Sequence, residues 1–467
     1  MLRKVLLISS GHAAASMMLL ARNLLVARLI PFEDYGIAAT FAVAMAVVEM
    51  ASQLGLQQMI VQAREGDDPK FQAALQGFQV LRGVIAGVTL FVFADAVATF
   101  LKIPDVAWAY QVMALVPVLN ALQHFDIHRL NRERRFLPMV MTSAVPALVS
   151  LLAIWPLAVW MNDYRVMLYA LIVQAVVAVA TSHLMAERPY RMSLDRAIIG
   201  QALSFGWPLL VNGVLLFATF QGDKIIVARE LGMAPLAVFA MGVTLTLTPT
   251  LVMAKSAQNL FLPDMSRAAK IRDTAPAEFA NLSHAMIQAA IVNGSLVVVA
   301  ILLFGPWLIS TVLGTKFASL LPILVLFGVQ QGLRVLKTGP NVIALACGNT
   351  TNAMLSNLIR VLSLPVAWWA VAHNNGGLVT LLVIAICTEV LGFLVAVTQV
   401  KWRFTMTVRR SLPALGIGAA IVGAAAATTY TSAPMIARAA YWACPLLLAL
   451  LCVAVPDLRR FIFAKRS

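Results

Sequence analysis

Gln330, Arg334, Lys337 and Asn341 lie in one long apolar stretch at i, i+4, i+7 and i+11. On a helix this spacing puts all four side chains on one stripe. Asn352, Ser356, Arg360 and Ser363 make a broader stripe on the next stretch, and Lys255, Gln258 and Asn259 make a shorter one. In the first half, Gln72, Gln76, Gln79 and Arg82 share one side of an apolar run, as do Glu49, Ser52, Gln53 and Gln57. About seven cations interrupt such runs: Arg22, Arg82, Lys224, Lys255, Arg334, Lys337 and Arg360. A charge at the centre of a membrane helix costs about 2.5–3.5 kcal/mol on insertion scales, so it normally faces protein interior or a watered cavity.

Arg334 and Lys337 repel each other, and Glu389 is the only carboxylate in the neighbouring runs. Cations with so little compensation suit an anionic ligand, and a phosphate or pyrophosphate fits that field. The seven cations, with Gln330 and Asn341, are the expected substrate-binding set. Glu49, Asp223 and Glu389 are the expected ion-pairing or coupling carboxylates. Second readings stay open for several. Arg22, Lys224 and Lys255 lie near run ends, where a long side chain can reach the interface. Arg82 has Glu49 as a candidate ion-pair partner, and Lys224 has its neighbour Asp223.

The elements that position these residues must be membrane helices. The chain has 467 residues, 61% hydrophobic and 12% charged, with a mean hydropathy of +0.86. Soluble domains are about 45–50% apolar and about 25% charged. The expected fold is all-α and polytopic, with about fourteen transmembrane helices between 5–30 and 439–455. The opening Arg3-Lys4 and the small residues Ala13-Ala14-Ala15 imitate a signal peptide. The apolar core before them is too short for one, so the segment reads as a retained first helix. Pro117, Pro146, Pro208, Pro249, Pro322, Pro340 and Pro365 fall inside the expected spans and permit bends.

Basic residues choose the orientation. Clusters at Arg3–Lys4, Arg64–Lys70, Arg129–Arg135, Arg188–Arg196, Arg267–Arg272, Lys401–Arg410 and Arg459–Arg466 alternate with sparse loops, about 22 cations against about 6. Both termini are therefore expected in the cytoplasm. This distribution also accounts for the net charge of +15. The charges sit in short loops that suit anionic headgroups, so no nucleic-acid partner is expected. The tail over 456–463 reads as an interfacial anchor.

Cys347, Cys387, Cys444 and Cys452 stand apart in apolar runs, and the six histidines are scattered. No metal and no cofactor is expected. The sequence has no phosphate-binding loop, no GxSxG and no HExxH. No outer loop exceeds roughly fifteen residues, too little for a catalytic domain, so the chain is not expected to be an enzyme.

Residues 22–30 and 223–231 align without a gap at an offset of 201, as RNLLVARLI against DKIIVAREL. Six expected helices separate them, which makes the halves parallel repeats. Transporters built this way hold substrate between lobes that open to each side in turn. The expected lobes are 1–198 and 199–405, with two further helices and a tail over 406–467.

The motif over 21–36, ARNLLVARLIPFEDYG, resembles the N-terminal signature of polysaccharide-type flippases of the multidrug/oligosaccharidyl-lipid/polysaccharide superfamily. Phe205-Gly206-Trp207-Pro208-Leu209-Leu210, leading through Gln221-Gly222-Asp223-Lys224 to Ala228-Arg229-Glu230-Leu231-Gly232, is similar to its counterpart at the seventh helix. The resemblance implies a bacterial inner-membrane flippase. It would move undecaprenyl-pyrophosphate-linked oligosaccharides outward for O-antigen, capsule or exopolysaccharide. It further implies a monomer that works beside a polysaccharide polymerase and glycosyltransferases, driven by an ion gradient, membrane potential or product removal. Lipid II flippases of the group line a central cavity with arginines, and Arg22 and Arg28 match them by motif position. Multidrug members lean on membrane carboxylates, of which this chain has few, chiefly Glu49, Asp95 and Glu389. A cation-coupled antiporter for drugs or small metabolites is the alternative reading.

Overall fold

A computed structural model describes residues 2–52, 54–374, 376–404 and 409–464, without the side chains of 2–10, 12, 51, 52, 208, 209, 212 and 464. Several residues of the sequence reading lie outside the described residues or side chains: Arg3, Lys4, Ser52, Gln53, Pro208, Lys465 and Arg466. Among the described residues the regular structure is helical, with no strand.

The chain forms two compact units, Met1–Ala237 and Val238–Ser467. The first holds α1 (Leu2–Leu29), α2 (Phe32–Ser52), α3 (Leu56–Gln62), α4 (Pro69–Val92), α5 (Ala94–Phe100), α6 (Ala107–Met113), α7 (Leu115–Ala121), α8 (Asp126–Arg132), α9 (Leu137–Met161), α10 (Arg165–Met185) and α11 (Arg196–Ile226). The start of α12 (Met233–Lys270) also belongs to it, and the rest of α12 enters the second unit. That unit continues with α13 (Pro276–Leu308), α14 (Leu321–Ala346), α15 (Thr351–His373), α16 (Leu378–Phe404), α17 (Leu412–Tyr430), α18 (Pro434–Val453) and α19 (Pro456–Ala464).

Among the described residues, ten helices are long and apolar enough to cross a membrane, or eleven if the bent segment from Pro104 to Arg132 is one span. Helices α1, α2 and α11 add 28, 21 and 31 residues. At 1.5 Å per residue each is about 31 Å or longer, enough for a bilayer core of about 30 Å. The chain is a multi-pass membrane protein. The number fourteen stays an expectation.

Breaks in the spans have local causes. The expected fourth span, 108–125, is divided between α6 and α7 after Met113. Pro117 lacks an N–H and its ring crowds the carbonyl four residues back, which belongs to Met113. The expected second span, 36–61, separates into α2 and α3 at Gly55, whose φ of 64° is left-handed. Asp68 caps α4 by accepting from the Lys70 N–H at 3.0 Å, with Pro69 in the first turn. Asp195 caps α11 by accepting from Ala197 N at 2.8 Å and Ile198 N at 3.2 Å.

The repeated motif ends helices in both copies. In the first, α1 stops at Leu29 and Pro31 leads into α2. In the second, Val227–Leu231 forms a π-helical turn after α11. Gly232 closes it at φ 92°, ψ −175°, donating to Val227 O at 3.1 Å. Essentially only glycine occupies that backbone region. The helices that follow the two copies also approach each other, because Gly36 packs against the backbone of Met233. A Cβ on Gly36 would lie 2.0 Å from the Met233 carbonyl oxygen.

In the first unit, α1 packs on α9, α9 on α10, α4 on α7, and α11 on α2. Compactness therefore does not follow the repeat register, since α11 opens the second expected repeat. In the second unit, α13 is central, flanked by α14, α17, α18 and α19. The Phe261 and Phe461 rings stack at 4.6 Å, holding the terminal α19 against α12. Large apolar side chains stay exposed, including Trp160 at 81% and Met435 at 85%. Water would not tolerate so many of them, whereas lipid does.

Candidate functional site

The stripe on α14 faces its own neighbours, α15 and α16. Arg334 Nε donates to Glu389 Oε1 at 2.7 Å. Lys337 Nζ lies 2.5 Å from Glu389 Oε2 and 3.5 Å from Asn357 Oδ1. Gly392 makes room for this cluster: a Cβ there would lie 2.8 Å from Ser356 O and 3.6 Å from Lys337 Nζ. Glu389 and Arg360 have essentially no exposed surface, and Lys337 is buried. Arg360 Nη1 donates to Ser363 Oγ at 3.0 Å. Asn352 Nδ2 donates to Asn341 Oδ1 and to Pro340 O, each at 3.3 Å. Gln330 is buried on the same face.

Arg334 and Lys337 are therefore compensated at Glu389, one of the carboxylates expected to form ion pairs. One carboxylate serves both, and its own position on α16 puts it between them. Arg360 is a third buried cation on the neighbouring helix α15. A buried carboxylate between two cations is strongly held, because removing either side leaves charge unbalanced in a low-dielectric interior.

In the first unit, Arg22 is buried and does not reach for an interface. Its Nη1 donates to Ser150 Oγ at 3.2 Å and to Gln174 Oε1. Ser150 Oγ in turn donates to Ala170 O at 3.0 Å. Arg22 thus links α1 to α9 and α10. Arg28 is exposed, Lys224 is half-buried, and its neighbour Asp223 is buried. Lys255 is exposed on α12.

Glu49, Gln57, Gln79 and Arg82 come together. With Gln58, Asn120, Gln123 and His128 they line one cavity of about 410 Å³ within this unit. The stripe on α4 has a second role that its spacing hid. Gln76 Oε1 accepts from Phe125 N at 2.8 Å, and its Nε2 donates to Gln123 O at 3.2 Å and Tyr190 Oη at 3.1 Å. Gln79 Nε2 donates to Ala121 O at 3.0 Å. These amides satisfy the backbone freed between α7 and α8. Gln72 accepts from Arg188 at 3.1 Å. Asn120, Gln123, Gln58 and His128 were not singled out from sequence, although two amides three residues apart in an apolar run were the available signal for Asn120 and Gln123.

The loop cations are partly neutralised. Arg129 Nε donates to Asp126 Oδ1 at 2.6 Å, and Arg135 contacts Glu187 at 2.5 Å. The hydrogen bond from Arg135 holds the Glu187 carboxyl below the usual carboxylate range. Among the described residues no group of acidic, histidine or cysteine side chains is set to hold a metal ion.

Comparison with known proteins adds relatives of two kinds. Over 325 residues the chain is 22% identical to the succinoglycan biosynthesis transport protein ExoT of Rhizobium meliloti (strain 1021), covering 66% of this chain and 62% of that one. It is 21% identical over 323 residues to the lipopolysaccharide biosynthesis protein WzxC of Escherichia coli (strain K12), covering 68% and 63%. The chain thus spans less than two thirds of the length of these curated relatives. Among solved structures, the lipid II flippase MurJ in an inward closed conformation superposes with a TM-score of 0.72 at 13% identity, over 98% of this chain and all of that one. An inward-facing multidrug transporter of the MATE family, from the MOP superfamily, gives 0.62 at 17%, over 83% and 94%. At such identities these two show a shared fold. The polysaccharide biosynthesis protein family matches residues 25–322, well over half the sequence, and the chain belongs to that family.

Proposed function

We propose that this protein is a flippase for polyprenyl-pyrophosphate-linked oligosaccharides, serving the synthesis of a surface polysaccharide. The observation that carries this reading is that Arg22, Lys337 and Arg360 are buried, and Arg334 partly so, inside apolar helices whose buried carboxylates are Asp223 and Glu389. Arg334 and Lys337 share Glu389 in one unit, where Arg360 is buried as well, and Arg22 is held by a hydroxyl and an amide in the other. An exporter of cations needs the opposite balance. An anionic diphosphate is favoured by this field, and the amide-rich cavity supplies partners for sugar hydroxyls. Family membership and the names of the two curated relatives support the same cargo. The fold alone does not choose, since multidrug transporters share it.

In this reading the two repeats, 1–198 and 199–405, open alternately to each side while the lipid tail stays in the bilayer. The protein sits in a bacterial inner membrane with both termini cytoplasmic, as a monomer near the polymerase and glycosyltransferases of its pathway. It performs no chemistry on its cargo. The test is deletion of the gene followed by measurement of surface polysaccharide and of lipid-linked oligosaccharide in the inner membrane. Loss of the first with build-up of the second is expected, both reversed by the intact gene. Unchanged polysaccharide with new sensitivity to drugs would replace this reading with that of an antiporter.

A further inference from the structure

Arg82 belongs to two cavities at once. On one side is the amide-rich space already described. On the other is a groove of about 540 Å³ along α2, α4 and α5, lined by apolar side chains such as Val47, Ile85, Phe93, Ala96 and Phe100. Val48, Arg82 and Ala86 line both. The groove is continuous with the lipid-facing surface, since Val47, Ile85, Phe93 and Phe100 are each at least 40% exposed. Its far end is fixed by Arg229, which donates to Phe100 O at 2.8 Å and lies 4.3 Å from the Phe100 ring centroid. Among the described residues the Nε of Arg82 is buried and has no hydrogen-bond partner. A buried donor on a cation, left unsatisfied, is costly unless an acceptor arrives.

We propose that the first unit holds the two ends of its lipid in these two spaces, with the diphosphate on Arg82. The first sugar occupies the cavity of Gln57, Gln58, Asn120 and Gln123, where Glu49 accepts from its hydroxyls. The first isoprene units lie in the groove toward Phe93 and Phe100. Arg82 to Phe93 is eleven residues of helix, about 16 Å, so the groove takes only the head-proximal part of a polyprenyl chain. The order polar cavity, cation, apolar groove matches the order sugar, diphosphate, isoprenoid. A two-chain phospholipid has no group for the amide cavity and twice the chain for the groove. This assignment rests on the flippase reading and specifies how its cargo is recognised.

The test uses the full-length protein in phosphatidylcholine nanodiscs, titrated with farnesyl diphosphate, inorganic pyrophosphate and phosphatidylglycerol. The farnesyl chain buries apolar surface in the groove, so farnesyl diphosphate is expected to bind at least about tenfold more tightly than pyrophosphate. Arg82→Gln removes a charged hydrogen bond and is expected to weaken both by about tenfold or more. Ala96→Trp fills the groove away from Arg82 and is expected to weaken farnesyl diphosphate about tenfold while leaving pyrophosphate unchanged. Position 96 is exposed, so the added ring does not enter the core, and Ile85→Trp repeats the test at a second exposed position. Farnesyl diphosphate affinity unaltered by both tryptophans, or phosphatidylglycerol displacing it equally well, would overturn the assignment. Flipping by the wild type with binding indifferent to Arg82 and the groove sinks this site alone. The expected binding pattern without any flipping sinks the flippase reading and leaves the site.

Discussion

Lys337 Nζ sits 2.5 Å from Glu389 Oε2, one turn of α14 beyond Arg334, which holds the other oxygen of the same carboxylate. A single acidic residue on α16 thereby fastens two cations of α14 within the second unit. The arrangement has a structural part and a functional part, and substitutions separate them.

Glu389→Gln leaves Arg334 and Lys337 without their counter-charge in a buried site. Breaking a buried pair from one side costs about 3–5 kcal/mol, so thermal unfolding in detergent is expected at clearly lower temperature. Replacing all three together, as Arg334→Met, Lys337→Met and Glu389→Leu, removes both ion pairs without leaving one of their partners charged. Stability near the wild type is then expected, with polysaccharide export lost because the cations are gone. Export at the wild-type level in that triple variant would make the cluster purely structural.

The repeat motif predicts a different failure. Gly36→Ala places a Cβ 2.0 Å from the Met233 carbonyl oxygen, and nothing there is a flexible side-chain end that can swing away. Gly232→Ala forces an alanine into a backbone region that costs about 1–3 kcal/mol. Both variants are expected to lower the amount of folded protein in the membrane, measured by size-exclusion of the solubilised chain. Gly200→Ala meets open space and is expected to change nothing.

Gln76 predicts a local effect. Its amide holds Phe125 N, Gln123 O and Tyr190 Oη together across the break between α7 and α8. Gln76→Leu has nearly the same size and no hydrogen bonds, leaving buried backbone groups unsatisfied at about 1–3 kcal/mol each. Faster hydrogen exchange over residues 121–126 is expected, with the second unit unaffected. Unchanged exchange there would mean that the break is held by packing instead.

Much of this was legible in the residues. Apolar excess fixes a helical membrane fold, and the i, i+4, i+7 offsets correctly put Gln330, Arg334 and Lys337 on one face. The offsets could not say what that face meets. Glu389 lies 52 residues beyond Lys337 in the sequence, and only the packing of α16 on α14 brings it between the cations. The α4 stripe shows the same limit. Gln76 and Gln79 share a side with Arg82, yet two of the three hold unwound backbone, because Pro117 and the break at 122–125 create carbonyl and N–H groups that a helical wheel does not display. Arg22 was ambiguous from its position near a run end, and the partners Ser150 and Gln174 that bury it come from distant helices.

The most direct measurement is transport itself. Purified protein in proteoliposomes, loaded with a fluorescent polyprenyl-pyrophosphate-linked oligosaccharide, is assayed by how much label a membrane-impermeant quencher reaches over time. The account predicts accelerated movement with the wild type and a large loss in Arg334→Met/Lys337→Met/Glu389→Leu, the variant expected to keep near wild-type stability. Equal rates for wild type, that triple variant and protein-free vesicles would contradict it.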